Sequence, residues 1–211
     1  MTIDRHKPFR SCTAIFSYDA LSTITGLVEM KVIAIQSSPN LNGLTSTLTQ
    51  AILRGVAAEG GRTKLIHLNK LEILPCIACS KGWGKCRAEG VCDLKDDFQN
   101  LREKIARSDA LIFATPVYCH DLSESAKIFL DRLRRCERGL GFKTFEGKKA
   151  IGLTSAGGSG RGAVRALYNL EDYLLRLQFD IFDLIPVTLF SKDHKFDMLE
   201  KAGRRLVRER Q

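Results

Sequence analysis

Glycine and proline are too scarce, at 17 and five of 211 residues, for a collagen-like or low-complexity chain. No uninterrupted apolar run approaches the ~20 residues that a membrane-crossing helix needs, which excludes a spanning protein. The start of the chain carries Arg5, Lys7 and Arg10, but no clean apolar core or small-residue cleavage site follows. A secretory leader is therefore not expected, and the expected compartment is the cytoplasm. The composition that remains, 44% apolar and 27% charged, is that of a soluble globular protein with ample material for a core. Its length favours one domain.

Acidic residues are outnumbered, 24 against 33 basic ones, for a net charge of +9. The excess is not gathered into one arm. Residues 132–165 hold nine Lys or Arg against Glu137 and Glu146, and a milder excess ends in Arg204, Arg205, Arg208 and Arg210. Solvated helix faces account for such a surface, and a phosphate-rich cofactor would also be drawn to it. Nucleic acid is disfavoured as a partner, because no nucleic-acid motif accompanies the charge.

Seven cysteines stand at 12, 76, 79, 86, 92, 119 and 136, four of them crowded into one segment. Without export, disulfides are disfavoured and clustered thiols point to metal or redox chemistry. The spacing Cys76-x2-Cys79-x6-Cys86-x5-Cys92 makes these four the candidate metal ligands. Four thiolates from one loop suit either a four-iron cluster or a tetrahedral zinc ion, and unliganded thiols are the third option.

Residues 1–29 show no sustained period and are expected to be a loose N-terminal extension, or a segment packed on the sheet or on a second subunit. The domain is expected to occupy 30–211. Buried strands are expected at Lys31–Ile35, Thr63–Leu68, Ala110–Ala114, Ala150–Leu153 and Phe179–Val187. Helices are expected from about Thr45, through Phe98, Leu101 and Ile105, from an N-cap at Ser123, through Val164 to Leu177, and from about Phe196. Alternation of strand and helix along the whole chain argues for a doubly wound parallel sheet. Such sheets bind ligands beyond the carboxyl ends of their strands, where strand order reverses. Function should then sit on the loops after the first, third and fourth strands.

The first of these loops, residues 36–47, joins a buried strand to a helix start, is rich in hydroxyls and contains no acid. Free amides and the helix dipole attract phosphate there, and Ser and Thr add donors. It lacks the Gly-Lys-Ser/Thr ending of a Walker loop and the G-x-G-x-x-G dinucleotide turn. A phosphate held by hydroxyls suits a flavin mononucleotide better than a nucleoside triphosphate; a capped turn without ligand is the alternative. The loop after the third strand begins Thr115-Pro-Val-Tyr118, and the loop after the fourth, residues 154–162, has four glycines that allow close approach to a flat ring.

Together these loops resemble the NADPH-dependent FMN reductase family. Ser38, Pro39, Gly43, Thr45 and Leu48 match its phosphate loop, although Asn40 and Leu44 stand where the family often has arginine and asparagine. Pro116, Val117, Tyr118, Ser123, Ala126, Lys127, Phe129, Asp131 and Arg132 match its second stretch, with Cys119 and His120 replacing an aromatic residue and a glycine. The cysteine segment resembles that of iron–sulfur flavoproteins, a branch whose spacing is usually four residues shorter between the second and third cysteines. The resemblance implies an α/β, flavodoxin-like, doubly wound five-stranded parallel sheet of order 2-1-3-4-5 with helices on both faces.

It further implies an FMN-binding oxidoreductase that takes a hydride from NAD(P)H and passes electrons to a small-molecule or protein acceptor such as a quinone or another flavin. The implied FMN contacts are Ser38, Asn40, Asn42, Leu44, Thr45, Ser46, Pro116, Val117, Tyr118, Cys119, Ser155, Gly157 and Gly158. No side chain need act as acid or base in the hydride step, so no catalytic residue is nominated. A homodimer or homotetramer is implied, with the second subunit covering the flavin. Two rivals stay open: an electron carrier with a Cys-ligated 4Fe-4S cluster, and a non-enzymatic zinc module that binds an acidic partner through its basic surface.

Overall fold

The computed structural model describes residues 29–209. Apart from Glu29, the expected N-terminal extension lies outside the described residues, as does Cys12. The strands are β1 (Lys31–Gln36), β2 (Arg62–His67), β3 (Ala110–Tyr118), β4 (Asp121–Leu122), β5 (Lys149–Ala156) and β6 (Asp180–Thr188). The helices are α1 (Leu44–Ala58), α2 (Lys85–Ala88), α3 (Phe98–Ala106), α4 (Glu124–Gly139), α5 (Ala163–Arg176) and α6 (Lys192–Arg208).

The parallel strands run β2-β1-β3-β5-β6, which is the expected order of five. The sheet has one strand more than expected, because the two-residue β4 folds back antiparallel on β3, pairing Val117 with Leu122 and Tyr118 with Asp121. No periodicity could announce so short an element. The final helix also begins four residues earlier than its apolar pattern, at Lys192.

Alternation along β1 and β3 builds two cores. Ile33, Ile35, Leu111 and Phe113 face α3, α4 and α5, where Phe129 stacks on Phe113 and Phe98 packs tilted against Phe129. Val32, Ala34, Ala110 and Ile112 face the other way, toward Leu48, Ile52 and Val56 of α1 and Leu199 and Leu206 of α6. Apolar residues on both faces are what a parallel strand covered by helices on either side requires. Full burial of one such Leu, Ile or Phe side chain contributes about 1.5–3 kcal/mol. Helices α1 and α6 meet at Gly55 and Gly203; a Cβ at either would strike a carbonyl oxygen of the other helix, of Glu200 or Ile52. Among the described residues, no helix is long and apolar enough to cross a membrane.

Candidate functional site

Three loops converge at the carboxyl ends of β1, β3 and β5. The first leaves β1 through the buried Ser37 and Ser38 and enters α1 at an N-cap, Gly43, that has no side chain to cap the helix. No acidic residue stands in the first turn of α1. The first-turn amides and the positive end of the helix dipole therefore face the loop without a carboxylate competitor. Asn40 donates its amide to Ser38 Oγ at 3.2 Å, and its side-chain Oδ1 accepts from the Asn42 amide at 3.1 Å. Asn40 and Asn42 are exposed; Thr45 and Ser46 are buried and Leu44 half-buried on the helix start.

Hydroxyl groups lock the loops to one another. Thr45 Oγ1 and Ser155 Oγ lie 2.6 Å apart, tying the first loop to the end of β5. Ser123 Oγ donates to Ser37 Oγ at 2.9 Å, and Thr115 Oγ1 accepts from the Ser123 amide at 3.2 Å, tying the first loop to the β3 side. Ser123 also caps α4 by accepting from the Ala126 amide. These buried hydroxyls satisfy each other, so the rim is fixed before any ligand arrives. Sequence reasoning nominated Thr45 and Ser155 but missed Ser37 and Thr115; their position at strand ends facing a hydroxyl-bearing N-cap is the signal that could have found them.

Beyond Pro116 and the half-buried Val117, the chain turns sharply. Cys119 and His120 have φ of 48° and 67°, so the β3–β4 hairpin closes on a two-residue turn with both residues left-handed. Asn-Gly is the usual occupant of such a turn, because a Cβ crowds the backbone at positive φ, a strain that glycine escapes and asparagine tolerates. Tyr118, Cys119 and His120 are all exposed. Gly162, at φ +83°, lies against the turn: a Cβ there would stand 2.6 Å from His120 Cα. Gly157 and Gly158 face open space, leaving room beside the loop after β5.

A flavin phosphate and ring fit this rim on three counts. The α1 amides are uncapped, the glycines leave a ledge, and Gln36 at the end of β1 carries a buried side-chain nitrogen without a hydrogen-bond partner. Gln36 Oε1 lies 3.3 Å from His67 Nδ1. Burial, followed by the charge of Lys70, keeps the His67 ring below its ordinary pKa.

The cysteine loop occupies residues 74–96 between β2 and α3. Cys76, Cys79, Cys86 and Cys92 line one narrow concavity of about 20 Å³ together with Cys136, Arg132 and Arg135. The donor chemistry is that of a thiolate site. The distances are not those of a closed ligand set: among the described residues, no three His, Cys, Asp or Glu side chains are gathered as a metal ion needs. Cys76 is exposed, Cys79 and Cys92 are partly covered, and Cys86 is buried. Burial and the neighbouring Asp93 push the Cys79 thiol up, and burial drives Cys136 to about 12, which keeps that thiol protonated.

Helix α4 holds this loop. Arg132, 1% exposed, donates through Nη1 to the Leu74 carbonyl at 2.8 Å and pairs with the fully buried Asp96. Its Nη2 donates to Asp96 Oδ1 at 3.0 Å and to Cys92 Sγ at 3.2 Å. Asp96 in turn accepts from the Leu74 and Phe98 amides. Burial opposes its charge, but Arg132 and the two amides outweigh it and hold the carboxyl below the ordinary aspartate value. Trp83, inside the long gap between Cys79 and Cys86, lies 4.1 Å from the Arg135 guanidinium, which also donates to the Gly82 carbonyl. The segment between Cys79 and Cys86 thus carries a ring that fastens the loop to α4.

A model of the NADPH-dependent FMN reductase family matches residues 30–184. An iron–sulfur flavoprotein of Methanocaldococcus jannaschii is 35% identical over 130 residues, 61% of this chain and 65% of that protein. A putative NAD(P)H-dependent FMN-containing oxidoreductase of Bacillus subtilis is 29% identical over 122 residues, 58% of this chain and 62% of its own length. The chain thus spans less than two-thirds of either relative. Among solved structures, an NAD(P)H:quinone oxidoreductase from Methanothermobacter marburgensis superposes with a TM-score of 0.68 at 20% identity, covering 87% of this chain and 100% of that one. That likeness is one of fold. From the match over residues 30–184, this chain belongs to the NADPH-dependent FMN reductase family.

Proposed function

We propose that the chain is an FMN-dependent NAD(P)H oxidoreductase of the flavin or quinone reductase type. The observation that carries this reading is the hydroxyl-locked rim at the uncapped start of α1, which offers a phosphate site beside a glycine ledge. The α1 amides with Ser38, Thr45 and Ser46 would hold the phosphate. The backbone at Pro116–Cys119 and Ser155–Gly158 would border the ring, with Asn40, Asn42 and Leu44 shaping the approach. Bound FMN supplies hydride chemistry, taking electrons from a nicotinamide and handing them to a small-molecule or protein acceptor. The side chains bind, orient and exclude water; none is needed to move a proton. A homodimer or homotetramer goes with this reading, supported by the exposed Tyr118, Val164, Tyr168 and Phe190 at this end of the sheet.

The cysteine cavity favours a second reading within the first: Cys76, Cys79, Cys86 and Cys92 would close on an iron–sulfur cluster. The donor set and the name of the Methanocaldococcus relative support it. Such a cluster supplies one-electron chemistry beside a carrier of hydride pairs. Zinc would suit the same donors without a redox role.

Anaerobic addition of NADPH to FMN-loaded protein tests the main reading. Bleaching of the flavin absorbance, restored by a quinone, is expected. A flavin that stays oxidised with both NADPH and NADH contradicts it.

A further inference from the structure

We propose that Arg132 is a positioning residue of the cysteine loop, directing a guanidinium N–H at the Cys92 sulfur so that a metal or cluster held by these thiolates has a hydrogen-bonded ligand on the α4 side. The proposal rests on the thiolate reading above and goes beyond it by naming a residue outside the cysteine segment.

Three observations carry it. First, the arginine is buried. A buried ion pair is weak grounds for stability, because apolar residues of similar volume often replace such pairs without loss. The side chains of Arg132 and Asp96 are 1% and 0% exposed, so the guanidinium reaches Cys92 from inside the protein and not from solvent. Second, the fork is used in full. One nitrogen reaches the Leu74 carbonyl and Asp96, flanking the loop on both sides, while the other reaches Asp96 and Cys92 Sγ. A lysine has no second planar donor with which to copy this pattern. Third, the charge has the sign a thiolate site needs. Four thiolates around a divalent ion carry an excess of two negative charges, and the cavity wall holds Arg132 and Arg135.

An N–H donor on a coordinated sulfur draws electron density from it, as partners behind a ligand generally tune the metal. Two consequences follow. Sulfur-to-metal charge transfer moves to higher energy, and the positive charge of the guanidinium offsets the excess negative charge of the ligand set, which tightens metal binding. A residue that only stapled the loop shut would leave the energy of that transition alone.

The test uses the full chain, metal-free and reduced, titrated anaerobically with Co²⁺ and read as difference spectra against the same sample without cobalt. Arg132→Met is combined with Asp96→Asn, so that no lone charge is left in the core. Cys92→Ser serves as the companion variant. Wild type is expected to show thiolate-to-cobalt charge transfer. The double variant should bind roughly 10–100-fold more weakly, with that band at lower energy. Cys92→Ser should reduce its intensity. An unchanged band position in the double variant overturns the role of Arg132 while leaving the thiolate site standing, as does an unchanged intensity in Cys92→Ser. No charge transfer in wild type overturns the thiolate reading and this inference with it. FMN binding, measured on the same samples, is independent of either result.

Discussion

The proposed flavin rim and the cysteine loop flank the same helix, α4, yet they are held in opposite ways. The rim consists of short connections at the ends of β1, β3 and β5, and its hydroxyls bond across from loop to loop. The cysteine loop is long, mostly exposed and poor in regular structure, and it depends on side chains reaching out of α4. A site built on strand ends inherits the rigidity of the sheet. A site on a long loop has only the few charged groups that pin it, so a single substitution can release it.

The largest effect is expected from breaking the pin on the loop side. Arg132→Gln leaves Asp96 buried without its partner and should cost about 3–5 kcal/mol in chemical denaturation. The double replacement Arg132→Met with Asp96→Asn should cost much less. If the single and double variants prove equally unstable, the pair is not what holds the loop.

On the rim side, Thr45→Val removes one hydroxyl of the Thr45–Ser155 contact and a donor near the proposed phosphate. The expected loss is about 1 kcal/mol in stability. FMN affinity should fall roughly tenfold if a donor to the phosphate is also lost, since a charge-assisted hydrogen bond contributes ~1.5–3 kcal/mol. Titration of variant and wild type by flavin fluorescence measures this directly.

Acid separates the two regions without mutation. Asp96 binds its proton more weakly in the folded chain than in the unfolded one. Its contribution is therefore complete above the unfolded aspartate value of ~3.9 and is lost as pH falls through the lower, folded value. Amide exchange across residues 74–96 should accelerate below about pH 4 before the amides of α1 lose protection. Simultaneous loss in both regions would contradict the independence of the loop.

The smallest effect is a gain. Replacing Cys119-His120 by Asn-Gly relieves two left-handed residues in the β3–β4 turn and should raise stability by about 1 kcal/mol, seen as a higher Tm. An unchanged or lower Tm would show that the turn is held by its side chains.

The fold was legible in the sequence because each long element carries its own period. Apolar runs such as Ala110–Ala114 admit only a doubly covered strand, and Leu48, Ile52 and Val56 admit only one helix face. The hairpin at Cys119-His120 was not legible, since neither residue is a usual turn former. At the site, the hydroxyl-rich loop and the cysteine spacing were readable as composition. The Ser123–Ser37 bond was not, because it joins residues 86 positions apart, and the Ser123–Thr115 bond, though only eight positions apart, depends on the β3–β4 hairpin. Arg132 was visible as part of a family motif, but its reach to Cys92 depends on how α4 lies against a loop 40 positions earlier in the chain. Local pattern specifies elements; contacts between distant loops exist only once the sheet has brought them together.

Titration of the full, folded chain with FMN, followed by quenching of flavin fluorescence, tests the central claim most directly. The account predicts saturable, equimolar binding that weakens on Thr45→Val. A well-folded wild-type protein whose presence leaves flavin fluorescence unchanged at every concentration would contradict it.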